Sequence, residues 1–271
     1  AGNILGADWN VATNWDLGRV PLATDSVFTF YGDKVTISPG YTAKCVYYKL
    51  LGRLNITLGG KLLINNGQLN AIGNVDNYGS INVNNSPGEG IIFTTQAADN
   101  LFQNYGEINI DQSVLEGLVI RNDQVFNNYG AGVIEVTNAG LESLRIKGVF
   151  NNNAVLRLGT SAVGVALIMS ESGAVINNQV CGKMVVLHKF VISNGTFNND
   201  GFFRQNYDGE NDLQAAASTV NNNAVIEDIK GSFDTYDFDI QAIWLQPLTN
   251  LEVNTGEPTI PMKNNFPINS Y

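Results

Sequence analysis

The stretch "VDNYGSINV" (75–83) returns along the chain in close copies, and this repetition determines the fold. An internal repeat of fixed length is the signature of a solenoid or propeller architecture. Successive copies begin 22–27 residues apart. They are "YKLLGRLNI" (a degenerate copy from Tyr48), "VDNYGSINV" (Val75), "FQNYGEINI" (Phe102), "FNNYGAGVIEV" (Phe126), "FNNNAVLRL" (Phe150), "VINNQV" (Val175), "FNNDGFFRQ" (Phe197) and "VNNNAVIED" (Val220).

Within each copy the side chains alternate between apolar and polar. Phe102, Ile108 and Ile110 point to one side of a strand, and the polar residues between them point to the other. No window keeps a helical spacing of apolar residues. Further apolar stretches lie between the copies: "IIF" (91–93), "LVI" (118–120), "LRI" (144–146) and "MVV" (184–186). Each repeat therefore predicts two or three short strands separated by turns.

A repeat of this length, built only from strands, predicts one coil of a parallel β-helix. Propeller blades need about 40 residues, and hexapeptide solenoids have a shorter local period. Leucine-rich repeats have a similar length, but their Asn follows the strand, whereas here Asn precedes the clearest strand. We therefore expect an all-β, single-domain solenoid of about 8 coils, with a non-repeat cap at each end.

One Asn holds the same place in consecutive copies. Stacked coils lie about 4.8 Å apart, so equivalent side-chain amides can bond from coil to coil. The flanking apolar residues indicate that these amides face inward as a structural ladder; a ligand-binding row would need them to face solvent. The glycines after them, Gly79, Gly106, Gly130 and Gly201, are expected in the left-handed backbone conformation. The predicted ladder is Asn77, Asn104, Asn128, Asn152, Asn177, Asn199 and Asn222.

The two ends of the chain differ from the repeat region at 31–230. Residues 1–30 are predicted to form a cap in which Trp9, Trp15 and Pro21 cover the first coil. Phe28 and Phe30 would share one face of a beginning strand. Residues 231–271 are predicted to form a second cap and an extended, proline-rich tail. That tail would dock along its own solenoid or add to a neighbouring molecule.

The N-terminal residues and the repeats together resemble a family. The arrangement of Trp, Asn, Gly, Pro and Asp-x-Val before the repeats, and the "F-x-N-x-G-x-I-x-I" repeats themselves, are similar to secreted or surface right-handed parallel β-helix proteins of Bacteroidetes-type bacteria. The resemblance covers about residues 8–228 and implies export and a cell-surface or extracellular location. It supplies no catalytic residues. The residues that carry it are Trp9, Asn14, Trp15, Gly18, Pro21, Asp25 and Val27. The start "AGNILG" also suits a mature exported protein or a trimmed chain.

Composition restricts the possible partners. The net charge of −10, with only 15 Lys and Arg and no basic cluster, argues against nucleic acid. No apolar run reaches the roughly 20 residues of a membrane span. The 37 Asn favour turns over helices. Cys45 and Cys181 are interpreted as two buried thiols or one disulfide.

Signs of catalysis are weak. His188, the only histidine, lies in "MVVLHKF" and is interpreted as a strand residue. No cofactor is predicted, and calcium has only weak support. Polysaccharide lyases and hydrolases use carboxylate pairs or calcium-bound aspartates. The acidic clusters are interpreted as solvated faces, since neither matches a full calcium loop. They are Asp208, Glu210 and Asp212, and then Asp234, Asp237 and Asp239.

Tyr78, Tyr105 and Tyr129 follow the ladder Asn in three consecutive copies and should form an outward aromatic stripe. Such a stripe could stack on sugar rings, pack against a subunit or tail, or support the fold as a surface ladder. The leading hypothesis is a non-catalytic extracellular or cell-surface structural protein that assembles with copies of itself. An adhesin or carbohydrate-binding module is the alternative, and a polysaccharide lyase or hydrolase is the second alternative.

Overall fold

The chain folds as a parallel β-solenoid of about eight coils, which confirms the predicted all-β class. A computed structural model describes residues 7–94, 100–205, 213–215, 218–228, 239–240 and 244–245. Within these ranges the only helical segment is a short 3-10 turn at Ala12–Asn14. The described strands form two parallel sheets that run the length of the solenoid.

The first sheet, sheet A, contributes one strand to each of the eight repeat coils, and it has further strands from the residues before and after them. It has eleven strands, and each pairs with its neighbours in parallel. They are β1 (Ala7–Asp8), β3 (Lys34–Ile37), β5 (Arg53–Ile56), β7 (Asn74–Asn77), β10 (Leu101–Asn104), β13 (Val125–Asn128), β16 (Val149–Asn152), β19 (Val175–Asn178), β22 (Gly195–Asn199), β25 (Ser218–Asn222) and β27 (Asp239–Ile240).

The second sheet, sheet B, contains two columns of strands, so that most coils have three strands. The first column contains β4 (Thr42–Leu50), β6 (Lys61–Ala71), β8 (Ser80–Ser86), β11 (Glu107–Ser113), β14 (Val133–Thr137), β17 (Val155–Leu158), β20 (Lys183–Val186), β23 (Phe202–Gln205), β26 (Val225–Asp228) and β28 (Trp244–Leu245). The second contains β2 (Ser26–Thr29), β9 (Ile91–Phe93), β12 (Leu118–Ile120), β15 (Leu144–Ile146), β18 (Val165–Met169), β21 (Lys189–Ile192) and β24 (Leu213–Ala215). The long strands β4 and β6 join the two columns, since β2 and β9 pair with their later halves.

The core consists of apolar residues stacked coil upon coil. Phe102 pairs in register with Val75 on one side and Phe126 on the other, and all three side chains are buried. The rings of Phe102 and Phe126 are stacked with centroids 4.4 Å apart. Each strand has alternate residues inward, so its period of two directly produces a continuous core.

The first repeat has a different register from the predicted one. The alignment of "YKLLGRLNI" placed Tyr48 opposite Val75, but the structure pairs Leu54 with Val75. Tyr48 lies in sheet B, pairs with Leu69 and is fully buried. This copy carries no Asn-Asn pair to anchor the alignment, so its apolar residues fit more than one register.

The N-terminal residues contribute to both sheets. Trp9 is fully buried, and its ring packs edge-on against Trp15 at 4.9 Å and Tyr48 at 5.5 Å. Phe28 and Phe30 lie on the outward side and are 54% and 60% exposed. The shared face predicted for this pair is therefore the solvent-facing side of β2 and the residue that follows it.

Candidate functional site

A ladder of buried asparagines runs through one corner of the solenoid, as predicted. In six consecutive steps the side-chain Nδ2 donates to Oδ1 of the next ladder residue, at 2.6–2.9 Å. Several of these amides also donate to a backbone carbonyl; Nδ2 of Asn128, for example, lies 3.0 Å from the Val155 oxygen. We call this row the inner ladder: Asn77, Asn104, Asn128, Asn152, Asn178, Asn199 and Asn222.

The prediction for one ladder position was wrong by one residue. Asn177 was assigned to the ladder, but the buried residue is Asn178, which bonds to Asn152 and Asn199. The cause is the alignment of "VINNQV" on Val175. In the structure the inward residue equivalent to Phe150 is Ile176, so the following positions move by one.

Glycine is required beside the inner ladder mainly because there is no room for a Cβ atom. Of the four predicted to be left-handed, only Gly130 has a positive φ, at 59°. At Gly106, a Cβ atom would lie 2.1 Å from the Gly79 carbonyl oxygen, much closer than van der Waals contact. The coils approach each other too closely at this corner for a side chain, which explains why glycine returns in the repeat.

A second row of asparagines, the outer ladder, lies on the outward side of sheet A. Here each Nδ2 donates in the opposite direction, toward the N-terminal coils, at 2.7–2.8 Å. Exposure increases along the row, from a buried Asn127 to an exposed Asn221. The outer ladder is Asn127, Asn151, Asn177, Asn198 and Asn221.

The outer ladder was missed at the sequence level, although a signal for it exists. Five repeats carry an Asn-Asn pair, for example Asn127-Asn128. Adjacent strand residues point to opposite sides, so a repeated pair must produce one row inside and one outside. Part of the outer row borders a groove of about 450 Å³. Among the described residues, the groove is lined by Asn177, Gln179, Asn198, Asp200, Asn221, Asn222 and Asn223.

The three tyrosines stack on one another along the solenoid axis. The rings of Tyr78 and Tyr105 are 4.8 Å apart and nearly parallel, at 3°, and Tyr105 and Tyr129 are 5.8 Å apart at 40°. Burial raises the pKa of the Tyr105 hydroxyl, and the neighbouring Tyr78 and Tyr129 raise it further. That hydroxyl also contacts Oε1 of Gln103 at 2.9 Å. Because both faces of Tyr105 contact the neighbouring rings, a sugar ring cannot stack on the middle of the stripe.

The remaining titratable groups in the described ranges form ion pairs and no metal site. Arg145 forms ion pairs with Glu116 at 2.8 Å and Glu142 at 2.7 Å, and the two glutamates are largely buried beneath it. No group of three His, Cys, Asp or Glu side chains among the described residues is arranged to hold a metal ion. The acidic residues Asp208, Glu210, Asp212, Asp234 and Asp237 lie outside the described residues, and Asp239 is described only as part of β27.

The described lining of the groove contains neither His188 nor a cysteine. The interpretation of His188 as a strand residue is wrong, because it lies in the bend between β20 and β21. It is half-buried, and burial lowers its pKa. Its ring Nδ1 accepts a long hydrogen bond, 3.4 Å, from the Ser161 backbone N–H. Both cysteines are free, so the disulfide interpretation is wrong. Cys45 is buried and burial raises its pKa to about 12, whereas Cys181 is exposed, so the alternative of two buried thiols holds only for Cys45.

Comparison with family models, curated proteins and solved structures finds no match to this chain. The resemblance to exported Bacteroidetes-type β-helix proteins therefore stays a prediction. The described part of the chain contains no helix with the length and apolar character of a membrane span.

Proposed function

We propose that this chain is a non-catalytic, extracellular or cell-surface structural protein that self-assembles through its N-terminal coil. The observation that carries the proposal is a concentration of exposed apolar side chains there. Single exposed apolar residues are ordinary on a protein surface, but a group of them marks an interaction site. The exposed large apolar residues of this coil, which comprises residues 7–31, are Val11 (42% exposed), Leu17 (75%), Leu22 (56%), Phe28 (54%), Phe30 (60%) and Tyr31 (58%).

The same coil ends both sheets among the described strands. β1 pairs only with β3, and β2 pairs only with β4, so one side of each strand has no described partner strand. An edge strand with unpaired backbone groups is a template for adding another strand. In β2 this edge carries Phe28, whose ring contacts Tyr47 at 5.8 Å. One end of the solenoid is thus apolar and has strands with an unpaired side, which supports association of solenoids end to end or side by side.

The regular coils also support a structural role. Among the described residues no group of three His, Cys, Asp or Glu side chains is arranged to hold a metal ion, and the interior is filled by stacked side chains. An adhesin or carbohydrate-binding module is the second candidate, favoured by the outward amides of the outer ladder. The stacked tyrosines favour a supporting or packing role instead.

Sedimentation velocity and electron microscopy of the purified chain over a wide concentration range test the proposal. We expect larger particles as concentration rises, and loss of these particles in Phe30→Lys. Val180→Lys is the matched control, because Val180 is 80% exposed on a distant coil. A monomer at every concentration, or equal loss of assembly in both variants, would contradict the proposal.

A further inference from the structure

We propose that the groove along the outer ladder binds a neutral, hydroxyl-rich polysaccharide chain lying along the solenoid axis. The amide groove is defined by Asn177, Gln179, Asn198, Asp200, Asn221 and Asn223. Its volume of about 450 Å³ is within the range of ligand sites, which is about 300–1,000 Å³. This site is distinct from the N-terminal coil and does not depend on assembly.

The hydrogen-bonding capacity of the groove matches hydroxyl groups. A side-chain amide has two N–H donors and two acceptor lone pairs. Within the ladder, Asn198 donates one N–H to Asn177 and accepts one from Asn221. One donor and one acceptor therefore remain on the same amide for a ligand. A hydroxyl group is also both donor and acceptor, so adjacent hydroxyls of a sugar can bind one amide through both atoms.

The ladder also fixes the amides in place before any ligand arrives. Asn177 and Asn198 are each bonded on both sides at 2.7–2.8 Å, so their orientations are set by the coil spacing. Fixed side chains lose little conformational entropy when they bind, which favours affinity. Because coils repeat about every 4.8 Å, a polymer meets the same amide on successive coils. The axial repeat therefore favours an extended chain over a single compact molecule.

The charge of the groove selects among polymers. The described lining contains no Lys or Arg, so it offers no counter-charge to phosphate, sulfate or uronate groups. Asp200 is the one charged side chain of the described lining, and Asn223 donates to its Oδ1 at 2.9 Å. A single carboxylate accepts hydrogen bonds from hydroxyls and repels anionic polymers. The proposed ligand is therefore an uncharged glycan.

An apolar margin accompanies the amides. Two residues before Asn177 and Asn198, sheet A carries the outward, half-buried β-branched residues Val175 and Thr196. Sugar rings present C–H groups beside their hydroxyls, and the methyl groups of this row can pack against them. Polar groups that fix orientation beside apolar surface are the usual composition of a small-ligand site.

Isothermal titration of the whole chain with a soluble linear β-glucan, a mannan and a xylan tests the proposal, with alginate as the acidic comparator. We expect binding of at least one neutral polymer and no comparable binding of alginate. Asn198→Ala should weaken binding about tenfold, the loss expected from two hydrogen bonds to the ligand. Gln179→Ala, which leaves the ladder intact, should weaken it about threefold.

Asn109→Ala is the matched control. Asn109 also belongs to an outward Asn pair, with Nδ2 3.1 Å from Oδ1 of Asn82, but it lies on sheet B. This variant should bind within twofold of the unsubstituted chain. The proposal is overturned if no neutral polymer binds, if alginate binds as well as they do, or if Asn109→Ala weakens binding as much as Asn198→Ala. Thermal unfolding of each variant verifies that it is folded.

Discussion

The inner and outer ladders occupy adjacent residues of the same strands, yet their environments are opposite. Asn177 and Asn178 both bond to asparagines in the coils before and after them. Asn178 is fully buried, whereas Asn177 is only half-buried and borders the amide groove. The donors also run in opposite directions along the two rows. Identical chemistry at identical spacing is therefore enclosed in the core on one side of the strand, and on the other side it borders the groove for which we propose a ligand.

Burial explains why the two rows should respond differently to substitution. A buried amide that loses its partner has no water to replace it, and the loss costs about 1–3 kcal/mol per group. An outward amide exchanges its protein partner for water, so the net loss is small. The inner ladder should therefore contribute much more to the free energy of unfolding than the outer ladder does.

The largest expected effect on the free energy of unfolding comes from substituting Asn178, compared with the same substitution of its neighbour Asn177. Asn178→Ala removes the acceptor of Asn152 and the donor to Asn199 and leaves a small void, and should lower the free energy of unfolding by about 3 kcal/mol. Asn177→Ala should lower it by about 1 kcal/mol or less. Chemical denaturation followed by circular dichroism measures both. Equal losses would show that burial does not separate the two ladders.

A second prediction concerns Gly132, whose substitution would press a new Cβ atom against the inner ladder. In Gly132→Ala the new Cβ would lie 2.4 Å from Oδ1 of Asn128 and 2.8 Å from the backbone carbonyl oxygen of Asn104. Because the ladder holds Asn128 in place, we expect a loss of about 2 kcal/mol in the free energy of unfolding. Gly173→Ala is the control, since its Cβ would have no atom within 4 Å. It should change stability by less than about 0.5 kcal/mol, and a Gly132→Ala result in that same range would refute the close packing.

The smallest expected effect concerns an exposed ion pair near β2. Hydrogen bonds from Arg19, and then from the Leu22 backbone N–H, hold the pKa of Asp25 at about 2, below its usual 3.8. A lowered pKa adds stability that is present above pH 3.8 and is lost as the pH falls through about 2. A carboxyl carbon NMR titration should give a midpoint near 2 for Asp25. Arg19→Gln should raise that midpoint and Arg157→Gln should leave it unchanged; an unshifted midpoint in Arg19→Gln would exclude the ion pair as the cause.

The repeat predicted the fold because its two signals, period and alternation, are physical properties of a stacked strand. The Asn-Asn doublet also predicts the outer ladder, because adjacent strand residues point to opposite sides. Register was less predictable. The copy at Val175 has an Asn pair but no bulky aromatic residue, and the copy at Tyr48 has no Asn pair. At Val175 a shift of one residue exchanges the inward and outward faces. The need for glycine beside the inner ladder arises from the short distances between coils, and those distances cannot be read from a single sequence.

The exposure of the aromatic residues in the N-terminal coil also could not be predicted from the sequence pattern. Phe28 and Phe30 alternate as core residues of a strand would, and only the structure shows that Val27 and Thr29 fill the interior instead. Two large exposed aromatic residues, one in the edge strand β2 and one directly after it, are the feature from which we infer assembly.

Hydrogen exchange at low and high protein concentration tests the assembly proposal most directly. If solenoids associate through the N-terminal coil, backbone amides of Ser26–Thr29 in β2 become paired or covered and should exchange more slowly at high concentration. Amides of the central strand Val125–Asn128 should exchange equally at both concentrations. Unchanged exchange at Ser26–Thr29, in a sample that sediments as a monomer throughout, would contradict the account.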